Sequence, residues 1–196
     1  YQPETVNSYE LGFKSVLADG ALTLNVAAFW DDHKDIQLSV FDATGAASST
    51  VLNAASATIR GLEIETIVRP ADWLTINGSL AYLDAKYDSF VEKGVEVSGN
   101  RAFPHAPKYS ASMGVDWRVA DGDWGRFNVL ADLNMVSKYH AFPYQLRQTD
   151  PTAQVAGDTE SKGRVTLNLR AALSNIKLGA AQIKLSGWIK NVTGED

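Results

Sequence analysis

The sequence predicts an all-β protein, an antiparallel up-and-down meander of about eight long strands. Three observations carry that prediction. Apolar and polar residues alternate with a period of two through eight segments, which sets one face of each against something apolar and the other against water. The connections between segments are short and long in strict alternation. Aromatic residues gather near both ends of the segments, with aliphatic residues between them.

The first segment, about Thr5 to Val16, opposes Tyr9, Leu11 and Phe13 to Ser8, Glu10, Gly12 and Lys14. Ala18-Asp19-Gly20-Ala21 holds a D-G pair favoured in tight turns. The second segment, Leu22 to about Leu38, puts Leu22, Leu24, Val26, Ala28 and Trp30 on one face and ends in the polar run Asp31-Asp32-His33-Lys34-Asp35. A Gly/Ala/Ser/Thr-rich stretch, roughly Asp42 to Ser56, is expected to be a loop.

The hairpin from Thr58 to Tyr87 is the clearest in the chain. Leu62, Ile64, Thr66 and Val68 oppose Gly61, Glu63 and Glu65, while Leu74, Ile76, Leu80 and Tyr82 alternate with Thr75, Asn77, Ser79 and Ala81. Arg69-Pro70-Ala71-Asp72 is the turn between them, because proline cannot donate to a ladder. A long connection runs from Asp88 to about Ala106. The fifth segment, Lys108 to Val119, sets Tyr109, Ala111, Met113, Val115 and Trp117 against polar neighbours, and Ala120-Asp121-Gly122-Asp123 turns it. The sixth, Trp124 to about Tyr139, aligns Phe127, Val129, Ala131, Leu133 and Met135, with Leu130 and Val136 as exceptions. A third long loop, His140 to about Lys162, precedes a seventh segment with Val165, Leu167, Leu169, Ala171 and Leu173 on one face. A turn near Lys177 to Ala181 leads to the eighth, with Ile183, Leu185 and Ile189.

Short turns of four to six residues and loops of more than a dozen have no reason to alternate in a soluble sandwich. In a transmembrane β-barrel they do, the turns lying on the inner side of the membrane and the loops outside. Segments of ten or more residues also match a tilted membrane strand of roughly 9–11 residues, where soluble strands run to about five or six. Leu24, Leu62, Leu80, Val115, Leu133 and Leu167 are expected mid-zone on one continuous apolar face, pointing to lipid. Tyr9, Trp30, Tyr82, Tyr109 and Tyr139 fall near the long-loop ends, and Phe13, Trp73, Trp117, Trp124 and Phe127 near the short turns. With long loops outside, the first segment runs inward and the eighth outward, so an open curved sheet with two unpaired edges is expected rather than a closed eight-stranded barrel.

Composition narrows the function. The 196 residues carry a net charge of −5 with no cysteine and 45% hydrophobic residues. A pI near 5.2 argues against a nucleic-acid partner. No apolar run approaches the roughly 18–20 residues of a membrane helix, which leaves barrels untouched. His33, His105 and His140 lack a second ligand at zinc-type spacing, so no metal is expected. Glu63 and Glu65 face the same side of a strand, where a wet interior explains them better than glycosidase chemistry. No nucleophile–base pair or phosphate loop appears, so neither an enzyme nor a cofactor is expected.

The order of motifs resembles the barrel domain of TonB-dependent outer-membrane receptors. Asn53, Ala57, Gly61, Glu63 and Glu65 lead to Pro70, Trp73 and Leu74, then to Tyr82 and Tyr87. Glu4, Tyr9, Glu10, Leu11, Gly12 and Lys14 match the family's entry strand, and Ala27, Phe29, Lys34, Asp35, Ile36 and Gln37 its next one. Pro104, Pro107 and Tyr109 fit a later strand entry, and Trp188 to Thr193 fits a penultimate-strand ending, with Gly194 where Asp is usual. The resemblance implies that 1–196 is part of a 22-stranded barrel domain, lacking the plug, the TonB-contacting segment and the final strand. It also implies a bacterial outer-membrane receptor that takes up a scarce chelate such as a ferric siderophore, haem or cobalamin. Its partners would be lipid, the TonB complex through the missing N-terminal region, and the chelate. A passive diffusion porin shares the same wall, and a soluble β-sandwich binding module would share the alternation. Ligand contact, if any, belongs to the long loops, where Arg101, Phe103, His105, Tyr139, His140, Tyr144 and Arg147 combine charge with aromatic faces.

Overall fold

The computed structural model describes residues 2–42 and 48–195; side chains at 38–42, 48–50, 52 and 54 are outside that description. Eleven strands follow in chain order among the described residues. The long ones are β1 (Thr5–Leu17), β2 (Leu22–Asp42), β3 (Ser48–Ala71), β4 (Leu74–Glu92), β6 (Tyr109–Gly122), β7 (Gly125–Val136), β10 (Arg164–Leu178) and β11 (Ala181–Ile189). Three two-residue strands lie in the loops: β5 (Val95–Glu96), β8 (Tyr139–His140) and β9 (Glu160–Ser161). The eight long strands pair antiparallel in the order β1-β2-β3-β4-β6-β7-β10-β11. No ladder joins β1 to β11 among the described residues, so the sheet is open, and both outer strands are exposed along nearly their whole length.

Register settles which residues share a face, because directly paired residues point the same way. Leu24 pairs with Thr66, two residues below Ile64, and Ile64 pairs with Leu80. Leu80 pairs with Ala111, and Ile76 with Val115. Met113 pairs with Leu133, which pairs with Leu167. Leu24, Leu62, Leu80, Val115, Leu133 and Leu167 therefore lie on one face. The opposite face carries Asn25, Glu65, Ser79, Ser112, Asn134 and Thr166 in a single row across six strands. Ser79 and Ser112 join hydroxyls there at 2.8 Å, and Asn25 donates its amide to Glu65 at 3.4 Å.

Among the described residues, the apolar face holds no close-packed core. Leu11, Phe13, Leu62, Leu80, Met113 and Trp117 are all exposed. Tyr82 and Tyr109, paired across β4 and β6 with ring centroids 5.4 Å apart, head one end of this face, and Trp73, Trp117 and Trp124 occupy the other.

Two expectations change. The stretch from Asp42 to Ser56 is largely strand: β2 continues to Asp42 and pairs with Ser48–Asn53 of β3. Only 43–47 remain between them, and these lie outside the described residues. Its small polar residues read as a loop, but backbone pairing needs no apolar side chain. The bulge at β2 between His33 and Ile36 sits at the base of this extension, with Asp35 at φ 58°. Asn53 holds it, donating its side-chain amide to the Asp35 carbonyl at 2.6 Å and to Gln2 at 2.8 Å. Three of the four turns are also tighter than four to six residues. Ala71 pairs with Leu74, Gly122 with Gly125 and Leu178 with Ala181, leaving two residues in each, so Trp124 is a turn residue rather than a strand one; Leu17 pairs with Leu22 and leaves the expected four.

Candidate functional site

Five of the six buried apolar side chains among the described residues lie at the long-loop end. Ala55, Ala57 and Phe90 are buried on the polar side of β3 and β4, and Ala102 and Ala156 are buried in the loops above them. The register explains the side. Ala57 follows Gly61 and Glu63 on the polar face, and it pairs with Tyr87; a bulge then brings Phe90 opposite Ala55 on that same face. The loop between β5 and β6 folds onto these residues. Phe103 lies over Tyr87 with centroids 4.9 Å apart, and Tyr87 meets Phe90 edge-on at 4.9 Å. Burial pushes the Tyr87 phenol pKa up.

Arg101 fixes this loop. Its guanidinium is ion-paired to Glu92, stands 5.6 Å over the Phe90 ring, and leaves its side chain only 8% exposed. Glu96 closes the other end. It accepts hydrogen bonds from Ser89 Oγ at 2.6 Å and from the amides of Phe90 and Ser98 at 2.9 and 2.8 Å. Those donors hold its pKa down at about 2.

The loop after β7 lies over the first one. Arg101 bridges Gln145, Pro104 bridges His140, and Gln145 bridges Val155. The His105 amide donates to the His140 carbonyl at 2.8 Å, and Asn100 grips Arg147 by accepting from its amide at 2.7 Å and donating to its carbonyl at 3.2 Å. Strands β8 and β9 pair Tyr139 with Ser161 and His140 with Glu160, whose carboxylate lies 3.7 Å from His140 Nε2.

The seven loop residues singled out from the sequence are therefore brought together, but in different roles. Arg101, Phe103, His105 and His140 hold the two loops to each other and to the wall. Tyr139 belongs to this assembly as well, its ring 6.0 Å from His105, rather than to the aromatic row of Tyr82 and Tyr109. Tyr144 and Arg147 keep exposed side chains. Gln145 shares a side with Arg101, which points to the wall, so Tyr144 and Leu146 point away from it. Phe142 joins Tyr144 there at 5.5 Å, and Phe142, Tyr144 and Leu146 are all exposed. Phe142 and Leu146 escaped the sequence reading, although their alternation with Pro143 and Gln145 was visible inside what looked like irregular loop. Among the described residues no three His, Asp or Glu side chains converge as metal ligands would.

The arrangement is a polar wall whose outer end is covered by two mutually bonded loops with an apolar stripe on their free side. Solved structures share the fold of this sheet. The ferric yersiniabactin uptake receptor FyuA from Yersinia pestis matches with a TM-score of 0.68 and 22% identity, over 98% of this chain and 25% of that one. BauA, the ferric preacinetobactin receptor from Acinetobacter baumannii, matches at 0.66 and 21%, over 100% and 26%. The copper transporter OprC matches at 0.66 and 19%, again over 100% and 26%. At these identities the likeness is one of fold, and the chain spans about a quarter of each of those proteins. The sequence itself matches the family model for the TonB dependent receptor-like β-barrel over residues 1–192, nearly its entire length. That match, on a sheet with this order and these two faces, makes the chain a member of the TonB-dependent receptor β-barrel family.

Proposed function

We propose that the chain forms part of the wall and mouth of a bacterial outer-membrane receptor that takes up a scarce metal chelate, foremost a ferric siderophore, with energy delivered through TonB. The observation that carries this reading is the division of the sheet into an apolar and a polar face, with both loops folded toward the polar one. Tyr109 and Trp117 are eight residues apart on one strand face, about 26 Å along the strand and about 20 Å once a tilt of ~40° is allowed, close to the apolar band of a membrane barrel. The loops then stand above the membrane and over the lumen, where an incoming ligand is first met. Phe142, Tyr144 and Leu146 with Arg147 offer it aromatic and aliphatic surface beside a fixed positive charge. Haem and cobalamin are the other ligands of suitable size and character. The ferric receptors and the copper transporter among the structural relatives support a metal-bearing ligand without naming it.

Uptake of radiolabelled ferric siderophores by cells carrying or lacking the full-length gene tests the proposal. The expected result is uptake at nanomolar ligand that disappears when the proton gradient is collapsed or TonB is deleted. Uptake that persists without TonB and rises linearly with concentration would make the protein a diffusion porin. A full-length protein that stays monomeric in water without detergent would make the sheet half of a soluble sandwich.

A further inference from the structure

Among the described residues, charge collects on the apolar face immediately beyond its aromatic row. Trp30 pairs with Arg60, and Arg60 with Asp84; one row farther, Thr58 pairs with Lys86. These five are on the apolar side, since Leu62 and Tyr82 neighbour them at two-residue spacing. Arg60 stands 5.4 Å over the Trp30 ring, and Lys108 Nζ lies 5.9 and 6.0 Å from the rings of Tyr82 and Tyr109. Trp30, Thr58, Arg60, Asp84, Lys86 and Asp88 line a shallow cleft of about 320 Å³.

The acidic groups here are already engaged. Asp84, 13% exposed, accepts from Arg60 Nη2 at 2.9 Å and lies 3.0 Å from Lys86 Nζ. Asp88 accepts from Thr58 Oγ1 at 2.7 Å, and Asp32 from Trp30 Nε1 at 2.8 Å. The cations are not used up. Arg60 meets Asp84 through Nε and Nη2 only, and the side chains of Arg60 and Lys86 are 50% and 69% exposed. Lys108 has no carboxylate partner among the described residues.

We infer that this cleft binds the phosphate-bearing headgroup of an outer-leaflet lipid. The inference rests on the membrane reading above. Cations stacked on aromatic rings at an interface keep their charge toward the headgroup layer while their stems lie on apolar surface. A negative group arriving at that level gains charge-assisted hydrogen bonds from Arg60 and Lys86 in the cleft, and Lys108, stacked on Tyr82 and Tyr109 beside it, adds its charge. The occupant is a lipid rather than free phosphate because the next row of the same face, Ala28, Leu62 and Tyr82, begins the apolar band, a surface for acyl chains.

The full-length protein in nonionic detergent is titrated with diphosphoryl lipid A, with a phosphate-free glycolipid of the same acyl chains, and with inorganic phosphate. Saturable binding of diphosphoryl lipid A alone is expected, weakened about fivefold by K108Q and on the order of a hundredfold by R60Q/K86Q/K108Q, each charge near the surface contributing about fivefold. K108Q breaks no ion pair, so its effect does not depend on refolding around Asp84. D84N frees Arg60 and Lys86 and is expected to bind at least as well as the parent. Equal binding by parent and triple variant overturns the inference, as does equal binding of the phosphate-free lipid or of inorganic phosphate. A loss in D84N matching that of the triple variant also overturns it, by making the cluster an internal ion-pair network. A protein that needs no detergent fails the membrane reading itself, whereas one that needs detergent but ignores lipid A fails this inference alone.

Discussion

Gly61 shows how closely one residue can be tied to its neighbours across a sheet. It pairs with Phe29, and a β-carbon there would lie 2.5 Å from that ring and 2.6 Å from the Tyr82 carbonyl. The ring can turn away, but the carbonyl belongs to the β3–β4 ladder and cannot. Gly61→Ala is therefore expected to cost about 1–3 kcal/mol by overpacking, measured as a lower urea midpoint of the full-length barrel. Replacing Phe29 by Leu in the same background should recover only part of it. The two faces make a sharper residue-level prediction. Arg at Leu24, Leu62, Leu80, Val115, Leu133 or Leu167 should cost on the order of 2–4 kcal/mol in a bilayer, while Arg at Asn77 or Ser112 should cost far less. Folding titrations into vesicles read the difference, and equal costs on both faces would remove the membrane from the argument.

At the scale of elements, the loop between β4 and β6 is held by a carboxylate whose protonation is its weak point. Glu96 has its pKa lowered from 4.5 to about 2 by the donors of Ser89, Phe90 and Ser98. A lowered value means that the stabilisation is complete above about 4.5 and is lost as the pH falls through about 2. Exchange of the Phe90 and Ser98 amides is expected to accelerate across that window, and Glu96→Gln should abolish the pH dependence while leaving the eight-strand ladder protected. Such contacts were beyond the sequence. Period-two alternation revealed the strands, because a wall between two solvents must alternate, and it fixed the faces of β3, β4 and β6 residue by residue. Loops obey no period. Arg101 looked like a ligand contact because a loop arginine carries charge, and only the fold shows its guanidinium spent on Glu92 and Phe90. The extension of β2 and β3 past the bulge at Asp35 was hidden for the opposite reason, since Ala, Ser and Thr pair backbones without advertising a face.

At the scale of the molecule, the open edges are the dominant fact. β1 and β11 each present a row of unpaired backbone groups with Leu11, Leu185 and Ile189 exposed beside them. Such edges recruit other strands, so the 196-residue chain expressed alone is expected to aggregate or to need the flanking strands of its barrel. The sheet order permits a direct test, helped by the absence of cysteine from these 196 residues. Ser79 and Ser112 are paired neighbours on β4 and β6, and cysteines at both are expected to form a disulfide readily in the full-length protein. Leu11 and Leu185 lie on the apolar face of the two edge strands with six strands between them. Cysteines at those positions are expected to remain free within one molecule, because a disulfide requires α-carbons within about 7 Å. Closure into a separate eight-stranded barrel would bring β1 beside β11 and cross-link the second pair as well. Mass spectrometry of the oxidised protein distinguishes the two, and an intramolecular 11–185 disulfide would show that this segment closes on itself instead of opening into a larger wall.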